Sequence, residues 1–156
     1  MRRTPITPAP APLDAHLGYW LRRVSNQVSG AFARALQQEQ VSVAEWVALR
    51  LIYGEEARTS GALASVTGMS RGAVSKVVDK LEQKGLLARL TDSNDQRVQQ
   101  LSLTRRGTRC VPKLAALADH NDAHFFGCLS VRERAQLLGL LAKLTDVHQL
   151  RDVPLT

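Results

Sequence analysis

Apolar residues return every three or four positions from Leu17 through Trp20, Leu21, Val24, Val28 and Phe32 to Leu36. That is the spacing of one helix face, and it predicts a long first helix over Leu13–Gln38. The stripe is broader than one small core requires, so it implies packing on both its own module and a second subunit. After a loop over 37–41, Ser42 stands where an N-cap belongs and Glu45 completes a capping box for a second helix, Val43–Tyr53. Gly54-Glu55-Glu56 ends it, and Thr59 or Ser60 caps the next.

The stretch Ser60–Leu81 reads as two short helices joined by a tight turn. Ala64 is small enough for the second helix to pack closely on the first. Gly68 supplies the positive φ of a sharp interhelical turn. Ser70 is the N-cap of the second helix, and Val74, Val77, Val78 and Leu81 form its apolar stripe. The opposite face carries Ser70, Arg71, Gly72, Ser75 and Lys76, then Asp79 and Lys80. Basic and hydroxylic side chains with no bulky apolar neighbour suit a helix that enters a major groove. An ordinary solvated face is the alternative, and residues 85–103 decide between the two.

Gly85 is a helix stop. Leu86–Thr91 has strand character, Asp92-Ser93-Asn94-Asp95 is a cluster of turn formers, and 97–103 alternates as a second strand, with Leu101 and Leu103 on one face and Val98 and Gln100 on the other. A hairpin directly after such a helix is a wing, with Arg97 near its tip. Thr104 then caps a long helix that reaches about Gly127 and contains Pro112, which should bend it. Ser130 caps a last helix, again with a box partner, Glu133. Leu137, Leu138, Leu140, Leu141 and Leu144 crowd that helix with apolar surface. Together with the first helix this reads as a dimer interface.

The segments GMSRGAVSKVVDKLEQKGLLAR and DSNDQRVQQLSLTRRG resemble the MarR family of bacterial winged-helix transcription regulators. The most specific part is Asp95-x-Arg97 followed by Leu101-x-Leu103-Thr104-x-x-Gly107. The resemblance covers most of the chain and implies a homodimer on pseudo-palindromic double-stranded DNA, often responsive to a small ligand. In the family the Arg of the D-x-R motif reaches into the minor groove and the Asp helps hold it, which here implies Arg97 and Asp95. No motif identifies the ligand.

Composition sharpens this picture in three ways. The 156 residues suffice for one domain, and 4% aromatic residues leave its core to Leu, Val and Ala, a mixture that favours helices. The net charge is +7, and ten basic against four acidic residues lie between Arg58 and Arg109, so the excess sits on the DNA-reading module. No apolar run approaches a membrane span, and Met1-Arg2-Arg3 leads into TPITPAPAP rather than the apolar core of a signal peptide. No membrane partner is expected, and the expected location is the cytoplasm.

The expected fold is mainly α, a winged helix-turn-helix with a two-stranded β-wing and long N- and C-terminal dimerisation helices. Residues 1–12 form a flexible Pro-rich arm and 13–156 a single domain. Within it, 42–107 is the DNA-binding lobe, and 13–38 and 104–150 are the dimerisation helices. His16 and Trp20, one turn apart on the first helix, and Trp46 on the second form a candidate site for a small aromatic carboxylate; the alternative is that both Trp are core. His120, His124 and Cys128 recur at i, i+4 and i+8, a weak candidate metal site with no fourth ligand. Cys110 and Cys128 are candidate redox thiols or inert ones, and peroxide-sensing relatives use a cysteine near the start of the first helix, where this chain has none. There is no Gly-rich phosphate loop, nucleophile elbow or metalloprotease helix, so neither an enzyme nor a cofactor is expected. The expected function is a homodimeric repressor released from its operator by an aromatic or phenolic acid. The alternatives are an effector-independent architectural DNA-binding protein and a metal- or redox-responsive regulator.

Overall fold

A computed structural model describes residues 10–91 and 99–150. A 3-10 turn, Leu13–Ala15, precedes α1 (Leu17–Gln38), α2 (Val43–Tyr53), α3 (Ser60–Thr67), α4 (Arg71–Gln83), β1 (Leu87–Thr91), β2 (Gln99–Leu103), α5 (Arg105–Phe126) and α6 (Val131–Val147). The mainly α winged-helix architecture is as the sequence implies. The arm expected at 1–12, apart from its last three residues, lies outside the described residues, as do the turn at Asp92–Asp95, Arg97 and Val98.

Side-chain caps fix the helix starts. The Ser42 hydroxyl accepts from the Glu45 amide at 3.2 Å while the Glu45 carboxylate takes the Ser42 N–H at 2.7 Å, satisfying two orphan donors reciprocally. Thr59, not Ser60, caps α3, accepting from Ala62 at 3.1 Å. Ser70, Thr104 and Ser130 cap α4, α5 and α6. Gly85, at φ 66, stops α4.

The structure corrects the predicted start of the first helix. That helix is not continuous from Leu13: His16 is extended, at φ −101 and ψ 127, and α1 begins at Leu17. The indole N–H of Trp20 donates to the Asp14 carbonyl at 2.8 Å, the group a continuous helix would offer to the Gly18 amide. His16 therefore flanks α1 rather than lying one helical turn before Trp20.

The core gathers where α2, α3 and α4 meet the C-terminal end of α1 and the start of α5. Leu36, Leu49, Leu63, Val74, Val78, Leu81 and Leu114 are fully buried there. The wing is an antiparallel pair running from Leu87 opposite Leu103 to Thr91 opposite Gln99. An isolated bridge between Thr59 and Gln100, with the Leu101 amide donating to the Arg58 carbonyl at 2.7 Å, ties the entry of α3 to β2. Gly107 lets α5 lie against the chain before β1, because a Cβ there would collide with the Leu86 carbonyl. α5 continues through Pro112 to Phe126.

Toward the start of α1 and along α6 many apolar residues are uncovered. Leu17 is 87% exposed, and Trp20, Leu21 and Val24 are also exposed. Among the described residues none of α6 is buried, and α6 makes at most marginal contact with any other element.

Candidate nucleic-acid interface

The helix-turn-helix is built by short-range chemistry. Gly68 takes φ 71 at the end of α3, a left-handed turn that glycine adopts without a Cβ clash. Buried Thr67 donates its hydroxyl to the Leu63 carbonyl at 2.6 Å and accepts from the Met69 amide at 3.3 Å, which tightens the turn. Ser70 accepts from the Ala73 amide at 3.2 Å and starts α4. Val74, Val78 and Leu81 then face the core at 0% exposure and Val77 is half-buried. By the helical period, Arg71, Gly72, Ser75 and Lys76 are left on the outer face, and all four are exposed together with Ser70.

Gly72 adds to this. Apart from its neighbours and the backbone of its own helix, nothing lies within 4 Å of where its Cβ would stand, so the fold does not require glycine there. The missing side chain leaves room for close approach from outside, between Arg71 and the Ser75–Lys76 pair.

Ion pairs clamp α4 from behind. Arg89 on β1 holds both Asp79 and Glu82 of α4. The Asp79 carboxylate raises the Arg89 guanidinium pKa further above its ordinary value, against the opposing effect of burial. Lys84 reaches Glu45 on α2 at 2.7 Å and the Gln40 carbonyl at 2.6 Å. Arg58 pairs with Glu55. Two of the cations that make the module basic by count, Lys84 and Arg89, are thus fasteners between elements, Arg58 is paired at the surface, and two of its four acids serve Arg89. Among the described residues Arg71, Lys76 and Lys80 form no ion pair, so the recognition helix presents its charge outward. Sequence counting missed this division because Lys84 and Glu45 lie 39 positions apart.

The other candidates disperse. Trp46 packs edge-on against Phe32 at 6.3 Å, whereas Trp20 sits edge-on to Tyr19 with the Arg23 guanidinium 5.7 Å above its ring. Phe32 is twelve residues beyond Trp20 on α1, about 18 Å along the axis, so a single chain does not bring the two indoles together. Cys128 lies past the end of α5 with its thiol 3.7 Å from the Phe125 carbonyl, and His120 and His124 are exposed. Among the described residues no group of three His, Cys, Asp or Glu could hold a metal. Burial, then Glu39, raises the Cys110 pKa, which keeps it a thiol. Asp95 and Arg97 lie outside the described residues. Among the described residues no helix is long and apolar enough to cross a membrane.

A capped helix with a buried apolar face and a cationic outer face, with a hairpin after it, defines a winged helix-turn-helix DNA-binding protein. The MarR family model matches residues 41–98. A protein of Thauera aromatica assigned as the transcriptional regulatory protein for the hcr operon is 33% identical over 133 residues, 85% of this chain and 80% of that protein. The solved structure of Bordetella bronchiseptica BpsR, whose DNA binding is regulated by 6-hydroxynicotinic acid, is 25% identical, with TM-score 0.74 over 88% of this chain and 99% of its own. The Staphylococcus aureus MepR–DNA complex shares the fold at 22% identity and TM-score 0.73, covering 85% and 98% of the two chains. The chain belongs to the MarR family: it is a DNA-binding transcriptional regulator and not an enzyme.

Proposed function

We propose that the protein is a cytoplasmic, homodimeric repressor that holds a pseudo-palindromic operator and lets go when a small aromatic or phenolic acid binds. The observation that carries the DNA-reading part is the outer face of α4. Arg71, Gly72, Ser75 and Lys76 are exposed while Val74, Val78 and Leu81 are fully buried, so the face is held rigidly and free to dock. Arg71 and Lys76 read groove edges, with Ser70 and Ser75 beside them. Arg97 at the wing enters the adjacent minor groove, and Asp95 accepts from its guanidinium and fixes its direction.

Dimerisation is supported by the uncovered apolar residues of α1 and α6. In the dimer the two recognition helices sit about 34 Å apart, one turn of DNA. Relief by an aromatic acid is supported by the likeness to BpsR. Because Trp20 lies about 18 Å along α1 from Phe32, against which Trp46 packs, a pocket that uses both, with His16, takes them from different protomers.

Fluorescence anisotropy with the operator tests this reading. Arg71→Ala should lose about 1–3 kcal/mol and relax base preference in the half-site. Arg97→Ala should weaken binding to many sequences and flatten the salt dependence by about one unit per lost contact per subunit. Normal binding with an unchanged slope in Arg97→Ala would remove the wing from the groove. Operator affinity and Trp fluorescence that stay constant across phenolic and hydroxynicotinic acids would remove the effector.

A further inference from the structure

A cavity of about 370 Å³ opens at the junction of α1, α4 and α5, at the far end of the recognition helix from its DNA-reading face. Its apolar wall is Val41, Leu86 and half-buried Cys110. Its rim is cationic: Lys84, Arg106, Arg109 and Lys113 stand against one acid, Glu39. Arg106, Arg109, Cys110 and Lys113 fall at i, i+3, i+4 and i+7, so they share one face of α5. Like charges at that spacing repel one another, and no acid stands in the first turn of α5 to relieve them. Among the described residues Arg106, Arg109 and Lys113 form no ion pair, whereas Lys84, Arg89 and Arg58 all have carboxylate partners.

Two of the four rim cations are also set in position. The Arg106 guanidinium donates to the Lys84 carbonyl at 3.1 Å, and the Lys84 ammonium is held by Glu45 and the Gln40 carbonyl. Fixed donors bind with less ordering of side chains than free ones. The Cys110 side chain stays a neutral thiol, which does not repel an anion. The volume is within the range of small-molecule sites.

The geometry points to a site for a small, multiply charged oxyanion, bearing phosphoryl or carboxylate groups, held by Arg106, Arg109 and Lys113 against the Val41–Leu86–Cys110 wall. It is separate from the DNA face, since Lys84 comes eight residues after Lys76, about 12 Å of helix. It owes nothing to the Trp20 and Trp46 pocket.

Inorganic pyrophosphate and citrate, titrated separately into the full-length protein by calorimetry, test the site. Saturable binding of one or both at submillimolar Kd is expected, and the tighter ligand identifies the phosphoryl or the carboxylate class. The double variant Arg109→Ser, Lys113→Ser, both at exposed positions, should weaken that binding at least about tenfold with unchanged helicity. In a Cys128→Ser background the bound anion should slow alkylation of Cys110 by iodoacetamide. Operator affinity and its salt slope should be the same in the double variant as in wild type. The proposal is overturned if neither anion saturates below about 10 mM, if the double variant binds as tightly as wild type, or if Cys110 is not protected. Loss of anion binding in Arg71→Ala would also overturn it, by moving the anion to the DNA face. A salt slope about two units smaller in the double variant would do so too, by making these residues contacts to DNA phosphates.

Discussion

The winged-helix lobe and the two ends of the chain treat their apolar residues in opposite ways. In the lobe Leu63, Val74, Val78 and Leu81 are 0% exposed, and α2, α3, α4 and the wing close around them. At the ends Leu17 is 87% and Leu138 70% exposed, and Leu140, Leu144 and Val147 stand out from α6 with nothing over them. The ends are no less helical. α6 has a full capping box at Ser130 and Glu133, and α1 runs 22 residues. A capped 17-residue helix without packing is nevertheless marginal in water, since most helical stability comes from burying an apolar face. The lobe therefore covers its apolar side chains within one chain, with help from the end of α1 and the start of α5, whereas the outer ends leave theirs open; in the proposed dimer a second copy of this chain covers them with the same apolar faces.

The largest effect should come from the lobe. Leu81→Ala removes a side chain at the centre of the core and should cost about 2–5 kcal/mol in urea unfolding. A loss below about 1 kcal/mol would mean that the lobe is not the self-sufficient half. The converse change, Leu141→Glu with Leu144→Glu, places charge on α6 where both leucines are exposed. It should shift light scattering from dimer to monomer at micromolar concentration and leave the lobe's unfolding nearly unchanged. A variant that stays dimeric would remove α6 from the interface.

Glu45 refines the comparison, because it fastens α2 to α4 within the lobe. Burial by itself raises its carboxyl pKa, but hydrogen bonds from Lys84 and from the Ser42 amide outweigh that and hold it below its ordinary value of 4.5. A depressed carboxyl stabilises the fold while ionised. Its contribution is complete above pH 4.5 and drains away as pH falls below it. Glu45→Gln should cost about 1.5–3 kcal/mol at pH 7 and less on acidification, so the stability curves of variant and wild type should converge toward acid pH. Parallel curves would deny the pair its role. The smallest effect belongs to Ser130→Ala, which strips the α6 cap at an exposed site and should cost about 0.5–1 kcal/mol of helicity. Circular dichroism of the α6-charged variant is where that loss should be easiest to see.

How legible these features were depends on how far apart their parts lie. The caps at Ser42, Ser70, Thr104 and Ser130 and the left-handed turn at Gly68 each involve residues two to four positions apart, and all were readable from the sequence. The outer face of α4 was readable because the helical period alone assigns it. The break at His16 was not, since it turns on the Trp20 indole reaching back to the Asp14 carbonyl. The candidate aromatic site rested on residue type and neighbouring helices, and only the packing of Trp46 on Phe32 revealed how far Trp20 lies from it.

By itself the sequence determined the order of the helices, the capped starts of α2, α4, α5 and α6, the wing and the residues that face outward from α4. These come from local hydrogen bonding and from the helix and strand periods, which need no distant partner. Only the tertiary structure decided which charges are spent inside the lobe, how closely α5 approaches the Leu86 carbonyl at Gly107, and where cations outnumber carboxylates around Cys110. Those outcomes depend on distances between groups far apart in the chain. Coulomb attraction and steric contact act on such distances, while sequence spacing does not record them.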